Sequence, residues 1–152
     1  MAVTASGMKR KYYPIFCASF LGILFIFGLS QGADVRRTSA YERDLLNCIN
    51  EHRIKNRLSP LRLDPALGRL AKIHSQRMNS SGEISHDNFD DRFRECGRAC
   101  CVENVGWNHD DPVAQCKAWE RSKDHDKNML NKQIRRAGLS RAGSYVTFFA
   151  CD

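Results

Sequence analysis

Three side chains carry the residue types that chemistry most often uses: His86, Glu103 and His125. His86 follows Ser85 in Ile84-Ser85-His86-Asp87, and Glu103 sits between apolar neighbours in Val102-Glu103-Asn104-Val105. His125 lies in Ser122-Lys123-Asp124-His125-Asp126-Lys127-Asn128, ahead of Met129-Leu130. Two imidazoles and a carboxylate can hold a zinc ion with a fourth position open, or orient a water and polarise a carbonyl. A bland reading stands beside this one. His86 and Glu103 would then be a hydrogen-bonded pair holding a sheet to its loops, and His125 with Asn128 would stabilise a loop. His74, on the inner face of a helix, reads as a hydrogen-bonded structural histidine, and His52 and His109 read as surface residues. Neither Gly-x-Ser-x-Gly nor His-Glu-x-x-His occurs in the chain, so no complete catalytic constellation is in view and the reading leans away from an enzyme.

The elements that must position these groups are partly legible. Residues 40–56 place Leu45, Cys48, Ile49 and Ile54 near one face of a helix with charges opposite. Asp64-Pro65 reads as N-cap and first position of a second helix, which buries Leu67, Leu70, Ala71, His74 and Met78 and stops at Ser80-Ser81-Gly82. Asp111-Pro112 repeats that start signal for a third helix carrying Val113, Cys116 and Trp119. Strand patterns fall at Val102–Val105, at Ile134–Ser140 and, most strongly, at Tyr145–Phe149, with Ala142-Gly143 suited to a hairpin turn. Helices and strands interleave, which predicts a layered α/β fold.

The N-terminus reads as an export leader. Lys9, Arg10 and Lys11 precede the uncharged run Ile15–Leu29, and Ser30 and Gly32 stand at the −3 and −1 positions of a cleavage site. Residues 1–32 are thus expected to be a signal peptide and 33–43 an N-terminal segment, with one domain over 44–152. An apolar run of that length spans about 22 Å as a helix, short of a bilayer core of about 30 Å; an uncleaved type II signal anchor is the alternative. Loss of Lys9, Arg10 and Lys11 lowers the formal charge from +7 to +4. The remaining charges are scattered, unlike the basic stripe of a nucleic-acid binder. Cys17 leaves with the leader, and Cys48, Cys96, Cys100, Cys101, Cys116 and Cys151 remain, an even number that predicts three disulfides rather than metal thiolates. A bridge from Cys48 to Cys151 would tie the chain ends together, with Cys100 and Cys101 pointing opposite ways and one of them reaching Cys96 or Cys116. Asn79-Ser80-Ser81 is a glycosylation sequon.

Taken in order, a series of short motifs resembles the CAP superfamily of cysteine-rich secretory proteins, antigen 5 and pathogenesis-related 1 proteins, whose domain is also called SCP. The pieces are Leu46…Ile49-Asn50…His52-Arg53…Leu58-Ser59-Pro60-Leu61, then Leu63-Asp64-Pro65…Leu67…Leu70-Ala71…His74-Ser75…Met78, then Ser85-His86. Glu103-Asn104-Val105-Gly106, Trp119…Ser122…His125…Asn128-Met129-Leu130 and Tyr145-Val146-Thr147 follow. The Trp119–Asn128 segment is similar to the short bacterial-type version. The resemblance implies a three-layer α-β-α sandwich around a mainly antiparallel sheet, disulfide-stabilised here, with a cleft of histidines and carboxylates that has been associated with divalent metal. On that footing His86 matches the first cleft histidine, Glu103 the glutamate of the E-N motif, and His125 the second histidine.

Two departures bear on the cleft. Animal members carry a second glutamate where this chain has Ser122, while Glu120, next to Trp119, belongs to another face; and Phe148 follows Thr147 where many members have glutamine. A divalent ion such as zinc is therefore expected to be weakly held at most. The implied function is a secreted binding or signalling module for an extracellular ligand, a lipid, sterol or peptide. The alternatives are a metal-assisted hydrolase or protease using His86 and His125 as ligands with Glu103 as general base, and a secreted defence or toxin-like scaffold. A near-minimal domain is expected, with no long C-terminal extension, no nucleic-acid partner and no stable membrane span after leader removal.

Overall fold

The computed structural model describes residues 39–152. The leader, its cleavage site and Cys17 lie outside the described residues. Helix α1, Ala40–Lys55, starts at a capping box: Ser39 Oγ accepts from the Glu42 amide while the Glu42 carboxylate accepts from the Ser39 amide. After the short strand β1, Arg62–Leu63, comes α2, Pro65–Ser81. Asp64 caps it by accepting from the amides of Ala66 at 2.8 Å and Leu67 at 3.2 Å, and Gly82 ends it in the left-handed region at φ 75°. The chain continues through α3, Phe89–Cys96; β2, Cys101–Trp107; α4, Pro112–Arg121; α5, Lys123–Met129; β3, Arg136–Ala142; and β4, Tyr145–Cys151. Asp111 caps α4 as Asp64 caps α2.

The four strands form one sheet in the order β1-β3-β4-β2. β1 runs parallel to β3, whereas β3–β4 and β2–β4 are antiparallel. The alternation along β4 shows why it is buried throughout. Val146, Phe148 and Ala150 face a core built with Leu45, Leu46, Ile49, Cys116 and Trp119. Phe149 and Cys151 face the opposite side, against Leu67, Leu70 and Ala71 of α2. Helices α1, α4 and α5 therefore cover one face and α2 and α3 the other, the sandwich the sequence predicts. β3 comes so close to α2 that a Cβ on Gly138 would stand 2.1 Å from the Leu67 carbonyl carbon.

Several details correct the sequence reading. Ile54 is exposed, and the adjacent Arg53 is buried in its stead. The Arg53 guanidinium donates to the carbonyls of Ser59 at 3.0 Å, Met129 at 2.6 Å and Asn131 at 3.0 Å, which satisfies the end of α5. Val113 is exposed on α4. Helices also occupy residues 89–96 and 123–129, where no element is expected. The cysteines pair as Cys48–Cys116 and Cys101–Cys151, leaving Cys96 and Cys100 free. The expected Cys48–Cys151 bridge does not form because its members lie in cores on opposite faces of the sheet. Among the described residues there are two disulfides where three are expected.

Candidate functional site

Glu103 is placed by the edge strand β2 and its carboxylate is almost wholly buried, with a side-chain exposure of 1%. A buried carboxylate needs a cation or several donors, and Arg92 supplies both. Arg92 Nε donates to Glu103 Oε2 and Nη2 to Oε1, each at 2.8 Å, a bidentate fork. Its Nη1 donates to Asp87 O at 2.7 Å. Helix α3 delivers this arginine: Asn88 takes a left-handed conformation at φ 59° to start it and Gly97 another to end it. Sequence reasoning passed over Arg92, because an arginine among Asp90, Asp91, Arg94 and Glu95 has the local pattern of a solvated face.

His86 joins this pair from the loop before α3. Its Nδ1–H donates to Glu103 Oε1 at 3.0 Å, which fixes the ring and leaves Nε2 on a side chain that is 53% exposed. His74 approaches from α2, with Nε2 donating to Ser85 O at 2.8 Å and standing 3.7 Å from Glu103 Oε1. Burial holds the His74 imidazole below the ordinary histidine range; the Arg92 cation pushes the same way, and the Glu103 carboxylate opposes it. Its Nδ1 is buried without a partner. A neutral ring donating from Nε2 has only a lone pair at Nδ1, so this orphan is an acceptor.

His125 sits in α5 with its ring 6.3 Å from that of Trp119, centroid to centroid. Burial pushes it below the ordinary histidine range, with a further contribution from nearby His86 and opposition from Asp124. What ties this helix to β2 is a pair of asparagines. Asn128 Nδ2 donates to Glu103 O at 3.0 Å and to Asn104 Oδ1 at 2.9 Å, and Asn104 Nδ2 donates to His125 O at 3.0 Å. Trp119 Nε1 donates to Val105 O at 3.0 Å. The structure therefore brings His86 and Glu103 into contact. The ligand atoms of His86, Glu103 and His125 do not all lie within 4.8 Å of one another.

That geometry tests the divalent ion implied by the sequence resemblance. Both Glu103 oxygens already accept from a guanidinium, and His86 Nδ1 is committed to the same carboxylate. An ion held through Glu103 would have to displace a buried, full cation, so the residues present do not fit one there. His86 Nε2 remains available to a ligand. Beside it opens a depression of about 440 Å³ lined mainly by Asp87, Asn88, Asp90, Asp91 and Arg94. Asn79 of the sequon is exposed at the end of α2.

Residues 46–152 match the model of CAP, the cysteine-rich secretory protein family. The chain belongs to this family. Among curated relatives, the uncharacterised protein YkwD of Bacillus subtilis is 28% identical over 113 residues, covering 66% of this chain and 42% of the relative. The uncharacterised membrane protein YlbC of the same organism is 27% identical over 118 residues, covering 70% and 33%. This CAP chain thus spans less than half the length of either. An extracellular Bacillus anthracis protein containing an SCP domain superposes with a TM-score of 0.68 at 26% identity, over 72% of this chain and 39% of that one. An outer surface protein of Borrelia burgdorferi shares the fold with a TM-score of 0.70 at 19% identity, over 76% and 95%. These neighbours are extracellular or surface proteins. Among the described residues no helix is long and apolar enough to cross a membrane.

Proposed function

We propose that this CAP domain is a secreted binding module, exported by the leader in residues 1–32, whose ligand rests against His86. The observation that carries the reading is the Arg92 fork on Glu103. It neutralises the one buried carboxylate of the site and turns it into a scaffold that aims His86 outward. A hydrolase using Glu103 as general base needs that carboxylate free to take a proton from water, and here both oxygens are engaged. Of the lipid, sterol and peptide ligands considered, a peptide bearing a basic side chain has the best complement, because Asp87, Asp90 and Asp91 gather at the depression on an otherwise basic chain and the one cation lining it, Arg94, is paired with Asp91 alone.

Titration of the purified mature domain with a lysine-rich peptide, a fluorescent sterol and anionic vesicles separates these ligands. Saturable binding of the peptide, weakened several-fold by the Asp90→Asn/Asp91→Asn double variant, is the expected result. No binding of any of the three, together with ester or peptide hydrolysis that His86→Ala abolishes, would replace this reading with the hydrolase. Expression of the full chain in a secreting host, with N-terminal sequencing of the product, tests export; the expected first residue is Ala33.

A further inference from the structure

Cys96, the last residue of α3, has its Sγ 3.4 Å from Cys101 Sγ and 3.9 Å from Cys151 Sγ. Cys101 and Cys151 are bonded to each other, a cross-strand pair between β2 and β4, whereas Cys96 is a free thiol. Its S–H donates to Phe93 O at 3.1 Å, so the sulfur lone pairs are not committed to that contact. Gly97, left-handed at φ 62°, turns the chain directly after the helix and so lets Cys96 meet a residue only five positions on. Leu67, Leu70, Ala71, Phe89 and Phe149 pack around the three sulfurs and hold them together.

We propose that Cys96, Cys101 and Cys151 form an internal thiol–disulfide exchange site. Cys96 Sγ lies to the side of the Cys101–Cys151 bond, so a rotation of its side chain must first bring the Cys96 thiolate into line with that bond; it then attacks Cys101 Sγ, the nearer sulfur. The Cys96–Cys101 bond forms, the Cys101–Cys151 bond breaks, and Cys151 leaves as a thiolate that takes up the proton Cys96 released. One disulfide and one thiol are present before and after, so no outside oxidant or reductant enters. The exchange alters what the bond holds. Cys101–Cys151 staples two strands of the sheet. Cys96–Cys101 instead anchors α3, the helix that carries Arg92, to β2, the strand that carries Glu103. The site is thus a covalent selector between two ways of fastening the His86 neighbourhood. It stands apart from the ligand reading above.

The test uses the mature domain with Cys100→Ser, which removes the other free thiol. The folded protein is held at about pH 8 to allow exchange, then quenched in acid to stop it. Peptide mapping under non-reducing conditions then reads the pairing. Both Cys101–Cys151 and Cys96–Cys101 are expected, the minor one at about 0.1–10% as befits a second native state, in a ratio independent of protein concentration. Adding Cys96→Ser is expected to leave Cys101–Cys151 alone. A single pairing that does not change during the hold overturns the proposal, as does a Cys96 bridge that grows with protein concentration. A Cys151→Ser variant, refolded with oxidised and reduced glutathione, gives a second reading: folded protein by circular dichroism that lacks a Cys96–Cys101 bridge also overturns it.

Discussion

Replacing Arg92 by Met is the sharpest probe of how this site is held. The side chains of Arg92 and Glu103 are 6% and 1% exposed, so water cannot take over the lost hydrogen bonds. Removing one member of such a pair strands a buried charge and costs about 3–5 kcal/mol. In a domain of this size that corresponds to a fall in Tm of roughly 10–20 °C. The second arm is the double variant Arg92→Met/Glu103→Met. With both charges gone and similar volume retained, the expected loss shrinks to about 1–2 kcal/mol, so the double variant should be more stable than the single by at least about 1 kcal/mol. Urea unfolding followed by circular dichroism and by tryptophan fluorescence measures both, since Trp119 is buried and its emission shifts when the core opens. A single variant that loses less than about 1 kcal/mol, or a double variant no more stable than the single, would refute the reasoning.

Other consequences can be checked in the same way. His74 and His125 are both held below their ordinary range, so the unfolded chain takes up protons first as pH falls. Stability should therefore decline as pH drops below about 6.5, with a slope of up to roughly 1.4 kcal/mol per pH unit per histidine and less for the partly exposed His125; stability that rises between pH 6.5 and pH 5 would contradict this. Asp64 titrates below its ordinary value. Burial alone would raise it, but the amides of Leu67 and Ala66 and the cations of Arg136 and Arg98 outweigh that, so a further loss should set in below about pH 3.8. Gly138→Ala should cost about 1–3 kcal/mol by thermal melting, because the new methyl meets backbone of α2 that cannot rotate away. Cys116→Ser, which opens the bridge between α1 and α4, should cost on the order of 4 kcal/mol on the loop-entropy estimate; an unchanged urea midpoint would show that this bridge is dispensable.

The sequence read best where a local rule has a local cause. Asp64-Pro65 and Asp111-Pro112 mark helix starts because the cap and the proline act on the next few amides, and both helices begin there. The aromatic and β-branched run at Tyr145–Phe149 marks a strand whose two faces are both covered. What failed depended on partners far away in the chain. Arg53 and Arg92 look like surface charges until carbonyls of residues 129–131, or the carboxylate at position 103, are brought against them. Residues 123–129 are too short and too polar to show a helical period, whereas 89–96 carry one in Phe89, Phe93 and Cys96, followed by Gly97 as a cap, that the sequence reading passed over. Disulfide pairing follows from which face of the sheet each cysteine occupies, and spacing alone does not encode that. At the site, His86 and Glu103 were legible as residues with chemical potential, but the cation that decides what Glu103 can do was not.

The asparagine and tryptophan that fasten α4 and α5 to β2 have a consequence for how the protein behaves in a crowd. β2 is a terminal strand of the sheet, and its outer rim would ordinarily invite pairing with a strand of another molecule. Asn128 and Trp119 occupy the Glu103 and Val105 carbonyls on that strand. At the other rim, β1 is only two residues long. On the β2 side the sheet thus offers neighbouring molecules little backbone to dock against. Loosening either side chain would be felt first as self-association during expression or heating, before any loss of helix or strand is seen.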